Sequence, residues 1–163
     1  MIDLREIQNK VIKKDNLYFL LIILLIFLSD RYTKNTIINK FNESTYYIND
    51  FLNFDLMWNT GIGFGLLKFD SSIIYNLIST LIAGVIIFLI LLGLKSEKFD
   101  KIIFSLIVGG AIGNFYDRLI YKAVPDFIDF HLESFHWFTF NVADIFITIG
   151  VILFLIEGIF IKK

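Results

Sequence analysis

Cysteine is absent from the sequence, which excludes disulfides, thiol nucleophiles and thiolate metal sites at once. Proline occurs once, at Pro125, and histidine only at His131 and His136. Charge is scarce too: Asp, Glu, Lys and Arg make up 19% of the 163 residues and nearly cancel, leaving a formal net charge of -1. So even a balance offers no basic surface to attract nucleic acid. Any chemistry has to come from Asp, Glu, Lys, Arg, Asn and the two histidines.

What the sequence has in abundance is apolar surface, with 56% hydrophobic residues and a mean hydropathy of +0.71, far above a soluble domain. Four runs, about 17–38, 73–94, 102–120 and 138–161, reach the length of about 20 residues that a helix needs to cross a bilayer. The expected fold is therefore an all-α polytopic membrane protein, a single domain over 1–163. Segments of about 39–72 and 121–137 connect the helices on one side. The first of them, YYINDFLNFDLMWNTGIGFGLL, interleaves aromatic and aliphatic residues with polar ones and predicts a small sheet on the membrane surface. Lysine and arginine mark the cytoplasmic side. Arg5, Lys10, Lys13 and Lys14 precede the first run, Lys95, Lys98 and Lys101 surround the second connection, and Lys162 and Lys163 follow the last run. Both termini are expected in the cytoplasm, with 39–72 and 121–137 outside. The basic flank would also suit a signal peptide, but no small-residue cleavage site follows, so the first run is expected to be a retained helix.

The polar residues inside these runs lie at one depth. Asp30 stands about 20 Å up the first helix from its inner end, and Lys34 follows it on the same face at i+4. Asp117 and Arg118 fall near the outer end of the third helix, Asn141 and Asp144 in the first turn of the fourth. Charge in a membrane helix is costly. Interfacial caps and ion pairs, Asp30 with Lys34 and Asp117 with Arg118, would explain two of these groups; Asp144 has no basic neighbour in sequence. Pro125 directly precedes Asp126 and holds it on a stiff, non-helical approach on the same side. Asp126 and Asp144, eighteen residues apart, can therefore face each other, with Asn141 three residues before Asp144 placed to orient it. Two close carboxylates share a proton, giving one acid and one base, the arrangement by which aspartic proteases activate water without a metal. GGAIG (109–113) has the small-residue spacing of closely packed membrane helices. Asn114, next in sequence, is a carboxamide able to orient a neighbouring carboxylate. Glycines of NTGIGFG (59–65) suit a tight turn or close approach to a ligand backbone.

In order, DRYTK (30–34), NTGIGFG (59–65), GGAIGNFYDR (109–118), VPDFI (124–128) and FNVAD (140–144) resemble the boxes of the prolipoprotein signal peptidase family, signal peptidase II. The resemblance extends from the first helix to the last. It implies a bacterial inner-membrane aspartyl endopeptidase, acting at the outer face, that removes the signal peptide of diacylglyceryl-modified prolipoproteins just before the lipidated cysteine. Asp126 and Asp144 match the family's catalytic pair. Asn114, Asp117, Arg118, Asn141 and Ala143 match the positions around it, Asp30 and Lys34 a supporting pair, and Asn59 and Gly61 the segment flanking the substrate. Arg31 stands where glutamine is common, Pro125 where an apolar residue such as valine is usual, and Ile145 where serine is frequent. The implied partners are lipid-modified prolipoproteins and membrane lipids, with no cofactor, no nucleic acid and a monomeric enzyme.

Two other classes compete. A proton- or cation-coupled transport subunit would use the same carboxylates, but would spread them through the bilayer depth; a non-catalytic assembly subunit would use them as glue between helices. HLESFH brings His131, Glu133 and His136 close in sequence, but the spacing is not HExxH, and no metal is expected.

Overall fold

The computed structural model describes residues 14–41, 44–61 and 72–160. Arg5, Lys10, Lys13, Lys162, Lys163 and positions 62–65 of the NTGIGFG box lie outside the described residues. In chain order the elements are α1 (Lys14–Lys40), β1 (Tyr46–Asn49), β2 (Leu52–Asn59), α2 (Ser72–Lys95), α3 (Lys98–Tyr121), β3 (Val124–Leu132), β4 (Phe135–Phe140) and α4 (Val142–Phe160). All four helices are long and apolar enough to cross a bilayer.

The centre of the bundle is α3. Over its most apolar window 56% of residues are buried, against 33% for α1 and 17% for α2 and α4. Its small residues explain why. A side chain at Gly109 would meet Ile26 of α1, one at Gly113 would lie 2.5 Å from Asp30 Oδ2 of α1, and one at Gly110 would strike the Ala143 carbonyl and Ile147 of α4. The glycines thus let α1 and α4 approach from two sides. Phe19 and Ile23 of α1, Ile86 of α2 and Phe104 and Val108 of α3 form the apolar centre. Leu77, Leu81 and Phe88 of α2 and Phe154 and Leu155 of α4 are exposed, as a lipid-facing surface requires. The short α2–α3 connection is tied by Lys101, whose Nζ donates to the carbonyls of Gly93 (2.8 Å), Leu94 (3.0 Å) and Ser96 (2.7 Å) at the end of α2.

At the opposite end of the bundle lies a four-stranded antiparallel sheet in the order β1-β2-β3-β4. Here the structure departs from an all-α reading. The segment after α1 supplies the expected hairpin, but the segment between α3 and α4 supplies two more strands. β2 pairs with β3 (Asn59 with Val124, Met57 with Asp126, Asn53 with Asp129), and β3 with β4 (His131 with His136). Phe138 to Phe140, expected to open the last helix, end β4 instead. Left-handed backbone at Lys122 (φ 57°) closes α3 and turns the chain into β3.

Candidate active site

Asp144 sits in the first turn of α4, and the reason is local. Asn141 precedes the helix; its Oδ1 accepts from the Asp144 N–H at 3.1 Å, while Asp144 Oδ2 accepts from the Asn141 N–H at 3.2 Å. This reciprocal pair is a capping box, satisfying two backbone donors at the helix start and fixing the carboxylate. A third donor of that turn, the Ala143 N–H, goes to Asp30 Oδ1 at 3.1 Å. Asp30 reaches it only because residue 113 has no side chain.

Asp126 comes from β3, two residues into the strand, and is 3% exposed. Asn141 Nδ2 donates to its Oδ1 at 2.6 Å and Asn59 Nδ2 to its Oδ2 at 2.8 Å. Asn141 therefore touches both carboxylates, with its amide nitrogen on Asp126 and its oxygen and backbone on the turn of Asp144. Asn114 Nδ2 donates to Asp144 Oδ1 at 2.8 Å. Every oxygen of the two carboxylates thus holds one amide donor and keeps a lone pair to offer. Both aspartates line one cavity of about 320 Å³, together with Asn59, Asn114, Arg118 and Thr148. Burial, and next the charge of Asp144, push the Asp126 carboxyl up from 3.8 to about 7, against the lowering effect of the Asn59 and Asn141 amides. Near neutral pH the site can hold a proton at Asp126.

Beneath the carboxylates lies a buried ionic layer. Lys34, fully buried, donates to Asp30 Oδ2 (2.9 Å), Asp117 Oδ2 (2.7 Å) and Asn114 Oδ1 (2.8 Å), which occupies all three of its hydrogens. Asn114 therefore passes from Lys34 to Asp144. The expected Asp30–Lys34 pair is present, whereas Asp117 does not pair with Arg118. Its partners are Lys34 and Arg31, whose Nη2 and Nη1 lie 2.8 Å and 2.6 Å from Oδ2 and Oδ1. Arg118 instead donates to the carbonyls of Asn114 (3.1 Å) and Gly61 (3.3 Å). With Asn59 Oδ1 accepting from the Gly61 N–H at 2.9 Å, it fastens the end of β2 against α3.

The sequence-derived residues Asp30, Lys34, Asn59, Gly61, Asn114, Asp117, Arg118, Asp126, Asn141, Ala143 and Asp144 thus form one connected network. Arg31 is its unforeseen member, treated from sequence only as a departure from glutamine. Its signal was available, since it stands three residues before Lys34 on one helix face. A second cavity of about 290 Å³, lined by Phe138, Phe140, Asp144, Ile145, Thr148 and Ile149, also touches Asp144 and is almost wholly apolar.

Residues 22–160 match the family model described as signal peptidase (SPase) II. The chain is 52% identical over 160 residues to the lipoprotein signal peptidase of Pelagibacter ubique (strain HTCC1062), covering 96% of each chain. It is 42% identical over 153 residues to that of Francisella tularensis subsp. novicida (strain U112), covering 90% of this chain and 93% of the other. Among solved structures, two described as bacterial membrane enzymes superpose with a TM-score of 0.71 each, at 29% and 28% identity. The first covers 86% of this chain and 87% of its own, the second 88% and 94%.

Proposed function

The chain belongs to the signal peptidase II family, a family of proteases, and from that premise we propose how it works: as a multi-span membrane aspartyl endopeptidase. It removes the signal peptide from diacylglyceryl-modified prolipoproteins, cutting just before the lipidated cysteine, with Asp126 and Asp144 as the catalytic pair. One observation carries the assignment of the pair: two carboxylates from different elements share a cavity and are both held by Asn141.

The chemistry follows from the hydrogen bonds. One aspartate, ionised, takes a proton from a water that attacks the scissile carbonyl, and the other, protonated, supports the developing oxyanion and then protonates the leaving amine. The Asp126 carboxyl, poised at about 7, suits a group that must gain and lose a proton in each turnover. The amides of Asn59, Asn114 and Asn141 hold both side chains in place, so little reorganisation is needed when substrate enters. No metal or covalent intermediate is required.

The substrate must present an extended scissile segment at the mouth of the site, with its signal helix in the bilayer. Apolar faces of α2 and α4 suit that helix, and the apolar cavity beside Asp144 suits the hydrocarbon near the lipidated cysteine. Topologically, the bundle end carrying the sheet and the carboxylates would face outward, with the α2–α3 connection and its Lys95, Lys98 and Lys101 in the cytoplasm. All residues of the site come from one chain, so a monomer suffices.

Purified protein incubated with a synthetic diacylglyceryl-cysteine peptide spanning the cleavage site should release the signal fragment with a new N-terminal lipidated cysteine, read by mass spectrometry. Cleavage elsewhere, or equal cleavage of the unlipidated peptide, would refute the proposed specificity.

A further inference from the structure

On the far side of β3 from α4 the sheet gathers a second group of polar residues that the protease chemistry does not use. Asp129 and His131 alternate on one face of β3, His136 faces His131 across β4, and Asn53 faces Asp129 across β2. Asp129 is 3% and His131 7% exposed, a deep setting for an acid and an imidazole on a surface sheet. Asp129 Oδ2 lies 2.8 Å from His136 Nδ1 and 3.4 Å from His131 Nδ1. One ligand atom from each of the three residues lies within 4.8 Å of the others.

Hydrogen bonding leaves this cluster incomplete. His131 Nδ1 is buried, points at the Asp129 carboxylate and makes no hydrogen bond; the buried Asn53 Oδ1 also has none. The Asn53 Nδ2 instead stands 3.5 Å from His131 Nε2. Exchanging the oxygen and nitrogen of the Asn53 amide, an assignment that only the hydrogen-bond network decides, gives Oδ1 a donor. His131 Nε2–H then donates to Asn53 Oδ1, and Nδ1 is left with a lone pair aimed at Asp129 and His136. An imidazole whose outer N–H is held by an amide oxygen while its inner nitrogen faces a carboxylate and a second imidazole is the usual setting of a metal-ligating histidine.

We propose that Asp129, His131 and His136 bind one divalent transition-metal ion of the zinc class on the β3–β4 hairpin, with Asn53 orienting His131. Two imidazoles and one carboxylate favour zinc, nickel or copper over magnesium or calcium, which prefer all-oxygen shells. Bonds of about 2.0–2.2 Å in a tetrahedral site place ligand atoms about 3.3 Å apart, and the two distances to Asp129 Oδ2 already bracket that value. Small ring rotations complete the set, with water in the fourth position. The sequence reading expected no metal here because the spacing of HLESFH is not HExxH; Glu133, the acid it considered, sits at the hairpin turn with φ 54° and is not part of the cluster, which takes Asp129 instead. The ion would have no part in peptide hydrolysis. It would tie together β2, β3 and β4, three residues along β3 from Asp126.

Tag-free protein in detergent, stripped with a chelator, is titrated with zinc chloride and followed by calorimetry and thermal unfolding. The expected result is one saturable equivalent per chain and a midpoint that rises with zinc and not with magnesium. His136→Ala, whose side chain is 60% exposed, should still fold, with a metal-free midpoint lowered by the loss of its bond to Asp129, and should lose the saturable equivalent. Asn53→Ala should bind zinc about 10–100-fold more weakly. A wild-type protein without a saturable equivalent, or His136→Ala binding zinc as tightly as wild type, would overturn the proposal whatever the peptidase assay shows.

Discussion

Replacing Asp126 by asparagine should make the protein more tolerant of alkaline pH while abolishing its chemistry. Burial, followed by the charge of Asp144, raises the Asp126 carboxyl from 3.8 to about 7. A group whose folded pKa lies above its unfolded value contributes stability that is complete below about pH 4 and is lost as pH rises through 7. At pH 8 the wild type must keep a carboxylate ionised where the neutral form is preferred, and asparagine never ionises. At about 1.4 kcal/mol per pH unit, linkage over the interval from 3.8 to 7 gives a wild-type loss, relative to the variant, of about 2.5 kcal/mol between pH 5 and pH 8. The variant also carries a fixed cost. One of the two amides donating to Asp126, from Asn59 or Asn141, would meet an NH2 group, at about 1–3 kcal/mol. That cost does not change with pH, so the change in the difference between the two proteins isolates the ionisation. Thermal unfolding of both proteins at pH 5, 6.5 and 8 should show the wild-type midpoint falling relative to the variant by about 5–10 °C. Parallel midpoints across the range would refute the assignment of a raised pKa to Asp126.

Other consequences concern the same network. Lys34→Met should destabilise the protein by about 3–5 kcal/mol, measured by denaturant unfolding, because Asp30 and Asp117 lose a fully buried partner and keep only Arg31 as a cation. Asn114→Ala should lower turnover by about 100-fold, through loss of the amide that positions Asp144, with about 1 kcal/mol of stability lost; an unchanged rate would deny Asn114 a positioning role. The rate of wild-type cleavage should fall as pH rises above about 7, where Asp126 loses its proton, and chelation should leave that rate unchanged at temperatures well below unfolding.

The membrane helices were legible in the sequence because a run of about 20 apolar residues has few other uses. Their ends were less so. Phe138 to Phe140 read as helix because they are apolar, and what stops them is Asn141, whose side chain and backbone close the capping box with Asp144. The polar residues of the site were legible for the same reason that they are expensive in a membrane, so those in the apolar runs stood out. Their partners were not, because adjacent residues on a helix point about 100° apart: Asp117 faces α1, and Arg118 faces Gly61. Strand β3 was missed because its pairing with β2 joins segments some seventy residues apart, which no local pattern records, and β4 is a hairpin partner added to β3. The cluster of Asp129 with His131 and His136 depends instead on the local pairing of β3 with β4, and only Asn53 reaches it from β2.

The central claim, that Asp126 and Asp144 act as one catalytic pair, is tested most directly by giving purified Asp126→Asn and Asp144→Asn variants the diacylglyceryl-modified peptide. With folding verified by unfolding midpoint, each variant should lose at least about 100-fold in cleavage rate. Cleavage by either variant at the wild-type rate would contradict the claim.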